Sequence, residues 1–136
     1  MFRRINQIPT PLTESALAAA VPARELRALR SMGTAVQITA GRTAMVEDAI
    51  GRECMLVVDG SFSVERAGEW IADLGAGDFM GEIALLTDQP RNATVTAIQD
   101  STVYAFSRRE FTSLLRECPA ISAYVLETAD QRLLAA

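Results

Sequence analysis

The chain has 136 residues, 49% of them hydrophobic, which is enough for one globular domain with its own core and leaves no room for a second. It contains no histidine, which excludes a Ser-His-Asp triad and the His-rich metal centres of many small β-barrel enzymes, so no enzyme is expected. A formal net charge of −4 is the reverse of the basic excess on nucleic-acid-binding surfaces, and no direct nucleic-acid contact is expected.

The N-terminus, Met1 to Ser15, lacks the apolar stretch of a secretory signal. No apolar run of the chain, Ile83 to Leu86 included, is long enough to span a bilayer. A soluble, cytoplasmic chain without a membrane span follows as the expectation. Helical structure is predicted over about 11–32. Pro22 stands where a first turn begins, Leu26 and Leu29 fall on one face, and Gly33 supplies a stop.

From about 34 to 106 the pattern changes to short apolar or β-branched runs. They are broken at Ala40-Gly41, Ile50-Gly51, Asp59-Gly60, Ala67-Gly68, Gly75-Ala76-Gly77-Asp78 and Gln99-Asp100. This spacing predicts about seven short strands in a sandwich or barrel. Asp59-Gly60, between Cys54 to Val58 and Phe62 to Glu65, predicts a two-residue hairpin turn. Cys54 and Cys118 match no metal spacing and are expected to be reduced, partly buried thiols. After Phe106, Ser107 and Glu110 form a capping box ahead of Phe111, Leu114 and Leu115. Pro119 opens a further helix with Ile121, Tyr124, Val125 and Thr128 on one face, which places helices at about 107–134. The whole of 1–136 reads as a single domain.

The segment that carries chemistry runs from Gly77 to Ala97. Gly81 followed by Glu82-Ile83-Ala84-Leu85-Leu86 predicts one helical turn, whose first amides lack internal partners and can hold an anion approaching closely over the glycine. Arg91 comes nine residues after Glu82, at the entrance to the strand 93–97. A guanidinium beside those amides completes a phosphate pocket. A carboxylate next to a phosphate needs a purpose of its own, and accepting a hydrogen bond from a sugar hydroxyl supplies one. On spacing alone, Glu82 and Arg91 could equally pair with each other on a loop surface.

Gly81-Glu82-Ile83-Ala84-Leu85 followed by Pro90-Arg91-Asn92-Ala93-Thr94-Val95 resembles the phosphate-binding cassette of the cyclic nucleotide-binding domains of cyclic-AMP receptor regulators, cyclic-nucleotide-dependent kinases and gated channels. Leu74-Gly75-x-Gly77-Asp78-Phe79 ahead of it fits the same pattern, and a weaker likeness runs from about Leu26 to Leu134. The resemblance implies a mainly β fold, an eight-stranded jelly-roll β-barrel with flanking N- and C-terminal α-helices. It implies a ligand, cyclic AMP or else cyclic GMP, and no cofactor. Glu82 would bind the ribose 2′-hydroxyl and Arg91 the cyclic phosphate, with the amides of Ile83, Ala84 and Ala93 completing the phosphate site. Met55 and Val57 are the candidates for the wall behind the base, and Arg132, or alternatively Leu133 and Leu134, for a lid from the last helix.

Two positions depart from the family pattern. Asn92 stands where a small or hydroxyl residue is common, which leaves the base preference open, and Asp48 replaces a turn glycine. The implied function is a regulatory sensor, acting on an effector domain or protein. The alternatives are a ligand-free interaction module of the same fold, or the sensor part of a larger transcription regulator or channel. A jelly-roll enzyme of the cupin type would need metal-binding histidines.

Overall fold

A computed structural model of the protein describes residues 10–135, with side chains described through Ala129. The helical start predicted as one stretch is three short helices: α1 (Thr10–Thr13), α2 (Ala16–Ala20) and α3 (Ala23–Met32). The breaks have local causes. Ser15 caps α2, its hydroxyl accepting from the Ala18 amide, and Pro22 takes extended backbone at ψ 153 before α3. The Gly33 amide donates to the Leu29 carbonyl and ends α3. Leu12, Leu17, Leu26 and Leu29 are all buried.

Eight strands follow among the described residues: β1 (Thr34–Ile38), β2 (Thr43–Met45), β3 (Glu53–Asp59), β4 (Ser61–Arg66), β5 (Glu69–Gly75), β6 (Phe79–Met80), β7 (Thr94–Ala97) and β8 (Ser101–Ser107). A short helix, α4 (Glu82–Thr87), separates β6 from β7. The strands form two four-stranded sheets, in the orders β1-β8-β3-β6 and β2-β7-β4-β5, and every pairing is antiparallel. This is the jelly-roll β-barrel with flanking helices that the resemblance implied.

The topology corrects one sequence expectation. Asp59-Gly60 does not close a hairpin, because β3 pairs with β6 and β8 while β4 pairs with β5 and β7. The dipeptide carries the chain from one sheet to the other. The two-residue hairpin turn is instead Ala67-Gly68, joining the paired residues Arg66 and Glu69. Both turn residues have positive φ, 53° and 80°, which matches the twist of the flanking strands.

β3 has a core on each side. Cys54, Leu56 and Val58 face the helices, where they meet Leu12, Leu29, Phe106, Phe111, Leu114, Ile121 and Val125. Met55 and Val57 face the barrel interior with Phe62, Val95 and Val103. Burial on both faces is why this strand reads as a continuous apolar run rather than an alternating one. Each fully buried aliphatic side chain in these clusters contributes roughly 1.5–3 kcal/mol. Cys54 and Cys118 are free thiols, and both are fully buried rather than partly so. Burial pushes both thiols upward, that of Cys54 well above its ordinary value with help from the nearby Glu82 charge.

The C-terminal helices are α5 (Arg108–Glu117) and α6 (Pro119–Ala135). The predicted capping box is present in both directions, with Ser107 Oγ accepting from the Glu110 amide and Glu110 Oε1 from the Ser107 amide. α6 is capped differently. Its first free amides, those of Ala120 and Ile121, donate to the carboxylate of Glu25 on α3 at 3.4 and 2.9 Å. A buried carboxylate at a helix start satisfies orphan donors and favours the helix dipole. Among the described residues, no helix is long and apolar enough to cross a membrane.

Candidate functional site

β6 is followed by Gly81, whose φ of 83° and ψ of 0° belong to the left-handed region, and α4 begins with the next residue. Only a residue without a Cβ takes this conformation cheaply. A Cβ here would also overlap Nη1 of Arg91 and lie 2.7 Å from Cε of Met45. α4 is six residues long and is capped at its C-terminal end by Asp88, again left-handed at φ 56°. Its far end is tied to α5 by Arg108, which donates to the Leu85 carbonyl and to Asp88 Oδ1, both at 3.2 Å.

Arg91 is fixed on both sides of its backbone. Its amide donates to Ala49 O and its carbonyl accepts from the Asp48 amide, each at 2.8 Å. The left-handed Asp48, at φ 67°, thus turns the chain before β3 to meet the cassette. The Arg91 guanidinium lies inside the protein, with 8% of the residue exposed. Nη1 donates to Gly81 O at 3.0 Å and Nη2 to Glu53 O at 2.6 Å. Gly51 makes room for it, since a Cβ there would come within 2.9 Å of Arg91 Cζ. Burial lowers the guanidinium from its ordinary value, while Cys54, Glu53 and Glu82 act against the shift.

Glu82 is 1% exposed. Neither it nor Arg91 belongs to a loop surface. No buried side-chain polar atom among the described residues lacks a hydrogen-bond partner, so this charged pair of positions is held within a satisfied network, as burial of charge demands.

A cavity of about 230 Å³ opens beside them. Gly81, Glu82, Ile83, Ala84, Arg91, Asn92 and Ala93 all line it, so the structure brings seven of the expected site residues together. The apolar wall comes from Met45, Val64, Ile71, Leu74, Met80 and Val95. Met55 and Val57 are not part of that wall. They sit on β3 in the barrel interior, Val57 fully buried. Apart from Met80 on β6, the apolar wall comes instead from the sheet β2-β7-β4-β5. Arg132 lies on α6, and its side chain, like those of Leu133 and Leu134, falls outside the described residues.

Sequence reasoning missed the apolar wall and Arg66. The alternation Phe62, Val64, Arg66 on β4 is a visible signal for one inward face. Ile71 gives no such signal, because a register shift opposite Val64 and Glu65 makes it the extra residue of a β-bulge, and bulges redirect side chains.

The arrangement joins a buried guanidinium, a buried carboxylate and the start of a short helix to an apolar wall, which suits a ligand with an anionic end, a hydroxyl and an apolar face. A family model described as "Cyclic nucleotide-binding domain" matches residues 35–118. Over 108 residues the chain is 32% identical to the Pycsar effector protein PaPycTIR of Pseudomonas aeruginosa, a match that covers 79% of this chain and 35% of that protein. It is 37% identical over 84 residues to a cAMP-dependent protein kinase regulatory subunit of Yarrowia lipolytica, covering 60% of this chain and 22% of the other. The chain therefore spans 35% and 22% of the length of these relatives. The solved structure "Sp-2Cl-cAMPS bound to PKAR CBD2" superposes with a TM-score of 0.76 at 22% identity, over 93% of this chain and 86% of that one, a likeness of fold.

Proposed function

The chain belongs to the cyclic nucleotide-binding domain family, and we propose that it is a regulatory sensor module that binds a 3′,5′-cyclic nucleotide, cyclic AMP first and cyclic GMP in the same site. The observation that carries this reading is the burial of Glu82 and Arg91 on the wall of one cavity. Two charged residues are not held inside a small domain without a use or a partner for each.

In this reading Arg91 meets the cyclic phosphate. A guanidinium has five donors, and Gly81 O and Glu53 O take two of them, leaving three for phosphate oxygens. The backbone amides of Ile83, Ala84 and Ala93 complete the anion site, and Glu82 accepts from the ribose 2′-hydroxyl. The base lies against Val64, Ile71 and the neighbouring apolar wall. A ligand-free interaction module would not need this polar end to the cavity.

Titration calorimetry with cyclic AMP, cyclic GMP and linear AMP tests the proposal. Cyclic AMP is expected to bind at micromolar affinity or better and linear AMP far more weakly, because a pocket shaped to a cyclic monoanion rejects the bulkier open dianion. Equal affinities for cyclic and linear AMP would sink the reading.

Output is proposed to run through α6 to an effector domain or protein. α6 packs beside α4, with Ile121 and Val125 in the same buried cluster as Leu85 of α4. Tyr124 also donates its hydroxyl to Gly77 O at 3.4 Å, in the turn that leads into β6. A ligand that favours this docked arrangement stabilises α6 by its preference for the docked state and no more. Amide hydrogen exchange along α6 is therefore expected to slow at saturating cyclic AMP. Unchanged exchange would mean that α6 is docked regardless of ligand.

A further inference from the structure

The cavity has four lining side chains with charged or amide groups: Arg66, Glu82, Arg91 and Asn92. On the reading above, Glu82 and Arg91 serve the ribose and the phosphate, which leaves Arg66 and Asn92 for the base. Arg66 ends the inward face of β4 after the buried Phe62 and Val64, at the rim where the bulged Ile71 also borders the cavity. Its Nε donates to the Asn92 carbonyl at 2.9 Å, which fixes the plane of the guanidinium. Among the described residues its terminal nitrogens have no protein acceptor.

We propose that Arg66 is the residue of this site that discriminates between bases, donating from its terminal nitrogens to the carbonyl of a 6-oxo purine. The inference rests on the cyclic-nucleotide reading of the same cavity. Guanine and hypoxanthine place two acceptors, O6 and N7, side by side, which a guanidinium fork matches, whereas adenine places an amino donor beside N7. Arg66 thus gives cyclic GMP and cyclic IMP a contact that cyclic AMP cannot make in full. The bland role, a rim arginine that only braces Asn92, would act on every ligand alike.

Calorimetric titration of the parent protein, Arg66→Ala and Arg66→Lys with cyclic AMP, cyclic GMP and cyclic IMP separates the two roles. For Arg66→Ala, cyclic GMP and cyclic IMP are expected to lose about tenfold more affinity than cyclic AMP loses. Arg66→Lys keeps the charge without the fork and is expected to restore only part of that difference. Thermal unfolding of each variant verifies that it is folded at the titration temperature. Parallel losses for all three ligands, or no loss for any, overturn the assignment of Arg66 while the cyclic-nucleotide reading stands. A parent protein that binds none of the three overturns that reading itself, and the assignment with it.

Discussion

Arg91→Ala is expected to weaken cyclic AMP binding by about tenfold to a hundredfold or more, because it removes a buried charge-assisted contact to the phosphate. The sequence alone suggests that folding would change little, but the structure argues otherwise. The guanidinium holds the carbonyls of Gly81 and Glu53, and its charge lies close enough to Glu82 to be shifted by it. Removing it strands two carbonyls and leaves the 1%-exposed Glu82 without that neighbouring cation. A stability loss of roughly 1–3 kcal/mol is expected. Calorimetry measures the first effect and urea denaturation the second. Parent-like affinity with reduced stability would make Arg91 a structural residue and remove it from the phosphate site.

Gly81→Ala is expected to damage the same site through the backbone. The left-handed conformation at φ 83° costs a residue with a Cβ roughly 1–2 kcal/mol. The added methyl also takes the space of Arg91 Nη1 and crowds Met45 Cε at 2.7 Å. Relief requires either a movement of the guanidinium or a change in the entry to α4, and both disturb the groups placed around the phosphate. A combined loss of stability and of at least about tenfold in affinity is expected. A control is Gly41→Ala, where φ is 86° and nothing lies within 4 Å of the added Cβ; it carries the conformational cost without the collision. If Gly81→Ala bound as tightly as Gly41→Ala, the close approach of Gly81 to Arg91 would have no bearing on the ligand.

How much of this was legible in the sequence follows from how local each interaction is. The capping box of Ser107 and Glu110, the start of α6 at Pro119 and the turn from Gly81 into α4 depend on residues a few positions apart, and each can be read directly from the chain. The cassette was legible for the same reason, since one segment from Gly81 to Ala93 supplies the helix start, Glu82 and Arg91. Asp59-Gly60 marks the limit of that reasoning. A turn dipeptide shows that the chain changes direction, while the sheet that receives the next strand is settled by pairing with β7, distant in sequence.

The sequence by itself therefore determined the starts of the two C-terminal helices, the turn into α4 and the segment that carries Glu82 and Arg91. Only the tertiary structure decided the apolar half, because Met45, Val64, Ile71, Leu74 and Val95 come from four strands and share a wall only once those strands are in register. It also decided that Gly51 clears space for Arg91, that Glu25 caps α6 from α3, and that Met55 and Val57 fill the barrel interior. The physical reason is common to all of these. Hydrogen bonding within a helix turn and alternation along a strand are set by neighbours in the chain, whereas a cavity wall is a sum of long-range contacts fixed only when the two sheets close on each other.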